Sequence, residues 1–475
     1  MAIVIKTFST PGGKYVYDRE TNSLLSVMEE EYVACQRVET GTATDDDWEL
    51  LKRYKDQGYL QDSCLKEIVH PATQFLPFYL DSGIKQLTLQ CTQECNLRCS
   101  YCAYGGGYDN QRTHSGKKMT PDTMRKSIDF LMAHSRGIDE VSIGYYGGES
   151  LLELDLIRES IAYINEKYDG RGVKYTLTTN GTCFNDDIIN FLEENEFNVQ
   201  ISIDGPREIH DKNRRYPNGK GSYDDIMDNV RYIKQNYPEF YRKVGFITVV
   251  APGVDLSCVN EFFTADDVLS QNNVINNMVN TFGASNEIVY DDLYHTTNTY
   301  HELKHLLAAT GLYSKEKLSK LFATAIGNLE RLHKGLSRLL ITEKSHPGGP
   351  CIPGAMRPFV DTDGRIFPCE RVSESLAVQI GHIDTGFDKN KVEAILNVGK
   401  LTEDECKSCW CFMHCSLCVA ACSDGDNLSR ETKLTYCDSV RDTTLASLAS
   451  LCFLMESNYD FEKYKTVKKE GREFQ

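Results

Sequence analysis

The chain contains no run of about 18 apolar residues, so no transmembrane helix is expected. It has no basic excess: 52 Lys and Arg stand against 69 Asp and Glu, a net charge of −17. That balance opposes non-specific binding to nucleic acid, which needs a basic footprint, and docking on anionic membranes. The opening MAIVIKTFSTPGGKY lacks the long apolar core of a secretory signal, so a cytoplasmic location is expected. With 475 residues, more than one domain and a large core are expected. What the chain has in quantity is cysteine: 18, clustered at 91–102 and at 351–437. A secreted disulfide framework would be small and carry a signal, so reduced, iron-binding thiols are the better expectation.

The chain is organised around Cys95-Asn96-Leu97-Arg98-Cys99-Ser100-Tyr101-Cys102. Three thiolates at CxxxCxxC spacing can hold three corners of a four-iron cluster and leave the fourth iron open, which is where chemistry can happen. Cys91, four residues upstream, offers a competing triple. Cys95, Cys99 and Cys102 are preferred because one wide and one narrow gap wrap a compact cluster, whereas a steady i, i+4 row points along a helix face. On the octet alone, a closed zinc or disulfide site is the alternative.

With its aromatic Tyr101 and the apolar run Leu87-Thr88-Leu89 before it, the octet resembles the radical S-adenosylmethionine (SAM) enzymes. The resemblance implies that SAM chelates the open iron through its amino and carboxylate groups. An electron from the cluster then cleaves the sulfonium to a 5′-deoxyadenosyl radical. Oxygen sensitivity is a corollary.

From residue 85 strands and helices alternate, the mark of parallel βαβ units. Strands are expected at 86–90, 141–145, 175–179, 199–203, 245–250 and 274–281. A helix is expected over 121–134, with Thr120 as cap and Pro121 at its first position. Six such units resemble the partial (β/α)6 TIM-type barrel of the radical SAM family, whose active residues sit at the carboxyl ends of strands. Gly147-Gly148-Glu149 follows the second strand, its glycines allowing close backbone approach. It resembles the family motif that binds the SAM ammonium, with Glu149 as acceptor. Ser202-Ile203-Asp204-Gly205-Pro206 follows the fourth strand and is similar to a family segment whose serine contacts the SAM ribose; a turn cap is the plainer reading of Asp204. Arg214 resembles the arginine that pairs with the SAM carboxylate, with Arg215 next to it. Thr179-Asn180-Gly181, after the third strand, recurs near the cofactor but is also an ordinary turn. The cofactor-binding set implied is therefore Tyr101, Gly147, Gly148, Glu149, Ser202, Asp204 and Arg214.

Residues 1–75 read as a separate small unit with strands at 3–8, 15–18 and 24–27 and two helical patterns, 29–38 and one after Thr44. This resembles the winged-helix recognition element of enzymes that modify ribosomally made peptides (RiPPs). There a leader peptide adds as a strand beside the third strand, by β-augmentation; a plain structural cap is the alternative. The barrel is expected over 84–285 and a helical connector over 286–348. In the connector Leu318, Leu321, Phe322, Leu329, Leu332, Leu336 and Leu339 form an apolar stripe at helical spacing.

Residues 349–440 resemble the cysteine-rich SPASM domain, followed by a helix and tail over 441–475. Cys351 precedes Gly364 and Cys369; then come Cys406-x2-Cys409-x5-Cys415, Cys418, Cys422 and Cys437. Position 419 of the family pattern is Val419 here, so Cys418 or Cys422 must substitute, and Cys411 is extra. By the resemblance, Cys406, Cys409, Cys415 and Cys437 hold an outer auxiliary cluster. Cys351, Cys369 and one or both of Cys418 and Cys422 hold an inner one. Zinc is the alternative. The set of cofactors expected is SAM and three 4Fe–4S clusters, one of them SAM-binding.

The expected activity is modification of a cysteine-containing precursor peptide held through its leader, by thioether cross-linking from a cysteine sulfur to Cα or Cβ. The segment KTFSTPGGKYVYDRETNSLL is similar to maturases of cysteine-rich peptides. Carbon–carbon or carbon–oxygen cross-linking and sulfatase-type oxidation of a Ser or Cys are the enzymatic alternatives; a non-catalytic iron–sulfur carrier would have no use for the SAM motifs. A flavodoxin- or ferredoxin-type electron donor is expected, with no nucleic-acid or membrane partner.

Overall fold

A computed structural model describes residues 3–462 apart from 316, 317, 319, 349 and 350. Residues 463–475 of the expected tail and the first two positions of the expected cysteine-rich region lie outside the described residues.

Turn residues cut the amino-terminal segment into short strands. The chain reverses at Pro11-Gly12-Gly13 and again at Asn22, which takes a positive φ of 48°. Ile5–Ser9 (β1), Lys14–Asp18 (β2) and Ser23–Val27 (β3) form an antiparallel sheet in that order. Glu29–Thr40 (α1) opens with three glutamates, which favour the positive helix end, and stops at Gly41, whose φ of 74° lies in the left-handed region that favours glycine. Asp45–Asp56 (α2) is capped by Thr44, and its buried Asp47 is bonded by Arg37 of α1. Val16, Leu25, Cys35, Leu51 and Leu60 close a small core. The sheet's other face sets Phe8, Tyr15 and Tyr17 against Leu448 and Cys452 of Cys437–Glu456 (α3). The small core reaches Leu60, and beyond it Glu67–Ile68 pairs with Lys344–Ser345.

The six alternating segments form Gln86–Thr92 (β4), Glu140–Gly147 (β5), Gly172–Thr179 (β6), Asn198–Ser202 (β7), Gly245–Val250 (β8) and Val274–Met278 (β9). They are parallel and adjacent in chain order, and β4 does not pair with β9, so the barrel is open. Amphipathic helices cover the strands. Pro121–Ala133, for example, is capped by the Thr120 hydroxyl, which accepts from the Thr123 amide at 3.1 Å.

The cysteine-rich region shares the barrel's sheet. Phe359–Val360 (β10) pairs in parallel with β4, Phe359 opposite Thr88. Arg365–Phe367, Gly381–His382 and Gly386–Phe387 then extend the same sheet to ten strands. The apolar stripe from 318 to 339 is not one helix. It divides into the turn Lys320–Phe322 and the helix Ala325–Gly335, after which Ser337 takes a positive φ of 59° and leaves Leu339 60% exposed. Among the described residues no helix is long and apolar enough to cross a membrane.

Candidate active site

The site begins where β4 ends and the chain enters the 95–102 loop. That loop lies directly on Gly147 and Gly148 at the end of β5. A Cβ on Gly147 would stand 2.2 Å from the Thr92 carbonyl oxygen, and one on Gly148 2.0 Å from that of Glu94. No side chain fits at such distances. The Gly148 amide donates to Thr92 O and the Glu149 amide to Glu94 O, both at 2.9 Å. The close approach expected of these glycines is thus to the backbone of the cysteine loop.

Glu149 is 1% exposed. Its carboxylate accepts the Thr179 hydroxyl at 2.8 Å, the Asn180 amide at 2.7 Å and the Leu151 amide at 3.1 Å. Burial raises its pKa, and these bonds oppose the rise. Glu149 therefore ties the end of β5 to the end of β6. Asn180, which looks like an ordinary turn residue in the sequence, sits beside the thiols: its Nδ2 donates to Asn96 Oδ1 at 2.8 Å and reaches Cys95 Sγ at 3.8 Å.

The three loop thiols are half-buried. Cys95 Sγ accepts the Leu97 amide and Cys102 Sγ the Tyr104 amide, each at 3.4 Å. Burial pushes Cys95 up to about 12 and Cys99 to about 11, the Arg214 guanidinium opposing the rise at Cys99. Sulfurs that receive N–H donors and face a guanidinium fit the ligand set of an iron–sulfur cluster, whose thiolates are stabilised in this way. Cys91 does not join them. It lies on β4 at 0% exposure, inside the apolar core. All 18 cysteines are free, and among the described residues no three His, Cys, Asp or Glu side chains converge as a single bound ion requires.

Beyond β7 the chain makes a buried polar knot. Arg214 Nε donates to Asp204 Oδ2 at 3.0 Å, Tyr101 Oη donates to the same oxygen, and the Val249 amide donates to Oδ1 at 3.1 Å. Asp204 is thus the partner of Arg214, not only a turn residue. Arg215 is turned away, donating to the Asp211 carbonyl. Ser202 is buried on β7. His210, absent from the expected set, accepts the Asp204 amide on Nδ1 at 3.2 Å and meets Ser222 Oγ at 3.0 Å through Nε2. Burial lowers its pKa to about 4, so it stays neutral.

A second buried ion pair, also not foreseen, fastens the loop after the cysteines to the carboxyl-terminal region. Arg112 pairs with Glu374, and its guanidinium lies 3.2 Å from the Tyr104 ring centroid. Gln90 Nε2 donates to Glu374 Oε1 at 3.1 Å. Neither partner stands in a motif, so only folding brings them together.

In the carboxyl-terminal region a pocket is lined by Cys406, Cys409, Cys415 and Cys437, with Lys433 and Arg441. Cys411 also borders it, but donates to Thr444 Oγ1 at 3.2 Å. Cys369 neighbours Cys418, and Cys418 neighbours Cys351. Cys422 is fully buried, donates to the Cys418 carbonyl at 3.3 Å and has Cys415 and Cys437 nearby as well.

Residues 89–264 match the profile of the radical SAM superfamily. A cysteine-type anaerobic sulfatase-maturating enzyme of Clostridium novyi (strain NT) is 32% identical over 190 residues, which cover 39% of this chain and 49% of that protein. A second, from Clostridium perfringens (strain ATCC 13124), is 23% identical over 372 residues, 73% of this chain and 92% of the relative. The chain thus spans about half the length of the first relative and most of the second. The solved structure of native anSMEcpe with bound AdoMet shares the fold: TM-score 0.58 at 20% identity, over 79% of this chain and all of that one. Residues 89–264 therefore form a radical SAM domain, homologous to that of the anaerobic sulfatase-maturating enzymes.

Proposed function

We propose that this protein oxidises a cysteine or serine side chain within a polypeptide; its relatives are named as cysteine-type anaerobic sulfatase-maturating enzymes. The observation that carries the proposal is the loop of three half-buried thiols, held by Asn180 and faced by Arg214 at the mouth of an open parallel barrel. Cys95, Cys99 and Cys102 would hold the SAM-binding cluster. Bound together, that cluster and SAM supply a carbon-centred radical that removes a substrate hydrogen.

The chain's own residues bind and orient. Gly147 and Gly148 let the loop seat on the sheet, and Glu149 fixes Thr179 and Asn180 beneath it. Asp204 aims the Arg214 guanidinium, and His210 anchors the Asp204 backbone. Ser202, Tyr101 and Arg214 are the proposed SAM contacts. Cys406, Cys409, Cys415 and Cys437 are proposed to hold one auxiliary cluster. Cys351, Cys369, Cys418 and Cys422 are proposed to hold another, able to accept an electron as the substrate is oxidised. A flavodoxin- or ferredoxin-type protein would supply the reducing electron.

A second reading, thioether cross-linking of a leader-bearing peptide, is favoured by the amino-terminal unit. Its β3 edge has no partner strand among the described residues and stands beside two helices, an arrangement suited to β-augmentation.

Anaerobic incubation with SAM, dithionite and a cysteine-containing sulfatase peptide tests the first reading. The expected product reacts with a carbonyl-trapping hydrazine. A leader-bearing cysteine-rich peptide that loses alkylatable thiols without gaining a carbonyl would establish the second reading. Absence of 5′-deoxyadenosine with either peptide would refute both.

A further inference from the structure

Lys433 is 2% exposed, and among the described residues no carboxylate stands within ion-pair distance of it. Its ammonium donates to Thr402 Oγ1 at 2.7 Å and to the Val398 carbonyl at 3.3 Å, two neutral acceptors. The other charged groups lining the same cavity are already paired. Glu405 pairs with Arg430, and Arg441 pairs with the exposed Asp438 while also bonding Cys409. A buried cation without an anion is strongly disfavoured, so the surroundings must supply negative charge.

The groups left in the cavity to take up negative charge are its sulfurs. Thr402 Oγ1 accepts from Lys433, so the hydroxyl proton is free to point the other way, toward Cys406 Sγ at 3.2 Å. Ammonium, hydroxyl and sulfur then form one directed chain. Cys415, Cys422 and Cys437 lie close enough to feel the same charge. We infer that Lys433, acting through Thr402, is a positioning residue that sets the reduction potential of the auxiliary cluster held by Cys406, Cys409, Cys415 and Cys437. One-electron reduction adds negative charge to the cluster. A fixed cation and a hydrogen bond to a ligand sulfur favour the reduced state, so the potential sits higher than it would without them.

The inference deepens the proposed ligand set, and the experiment separates failure of the two. Full-length protein, reconstituted anaerobically with iron and sulfide, is titrated with dithionite through redox mediators. Each cluster signal is followed by electron paramagnetic resonance, with iron content measured in parallel. Cys406→Ala is expected to remove one auxiliary signal; if every signal survives, the ligand set is wrong. Given that loss, Lys433→Met and Thr402→Val are expected to move the same signal to a more negative potential, by more than the other auxiliary signal, and to leave the SAM-responsive signal in place. Lys433→Arg is expected to keep it. An unchanged potential in Lys433→Met at full iron content overturns the inference. If Lys433→Met instead loses the iron of that one cluster, retention in Lys433→Arg sustains the requirement for charge. Loss in both variants shows a purely steric role and overturns it.

Discussion

Replacing Gly148 by alanine tests whether the cysteine loop depends on the end of β5. The new Cβ would stand 2.0 Å from Glu94 O, 2.5 Å from Glu94 C and 3.0 Å from the Cys95 amide nitrogen. Ordinary carbon contacts lie at about 3.5 Å, so the loop must retreat by more than about 1 Å. Retreat stretches the bond from the Glu149 amide to Glu94 O, now 2.9 Å. Overpacking costs about 1–3 kcal/mol and the lost hydrogen bond about 1 kcal/mol, or about 2–4 kcal/mol together. The strain falls on the residue next to Cys95, so cluster binding should suffer more than the fold. Two assays follow: iron content after anaerobic reconstitution, and thermal unfolding of the metal-free protein. The expected result is loss of the iron of one cluster, with a melting point lowered by several degrees. Gly107→Ala is the control, because nothing lies within 4 Å of a Cβ there. A Gly148→Ala protein that binds iron and cleaves SAM like the parent would refute the reasoning.

Asp204→Ala should destabilise the protein by about 3–5 kcal/mol, since it strands a buried Arg214 guanidinium; urea unfolding measures it. Cys91→Ala should leave the iron content unchanged, whereas Cys95→Ala, Cys99→Ala and Cys102→Ala should each remove the SAM-responsive electron paramagnetic resonance signal. Glu149→Gln should cost about 1–3 kcal/mol, because an amide nitrogen cannot accept the N–H groups that the carboxylate oxygens accept, and the loss should appear as a lower melting point. His210 and His346 both fall to about 4 through burial, below the unfolded value of 6.5. The unfolded chain therefore binds more protons between those values. The stability these residues contribute is fully present above pH 6.5 and is lost as pH falls toward 4, by up to about 3 kcal/mol each. His210→Gln should flatten that acid limb of a melting-temperature profile.

The sequence by itself determined what is local. Alternation of apolar runs and turns located all six barrel strands, and Thr120-Pro121 marked the start of a helix, because capping and side-chain periodicity act over a few residues. The octet at 95–102 announced itself because ligands for one cluster can be supplied by one bend. Only tertiary structure decided the rest. The sequence cannot show that β10 joins β4, that Arg112 meets Glu374 across 262 residues, or that Arg214 closes on Asp204. Spacing set Cys91 aside on pattern alone; the structure adds that its strand buries it. Pairings between distant segments are chosen by the packing of the whole chain, where burial and charge compensation are settled together and no local pattern records the outcome.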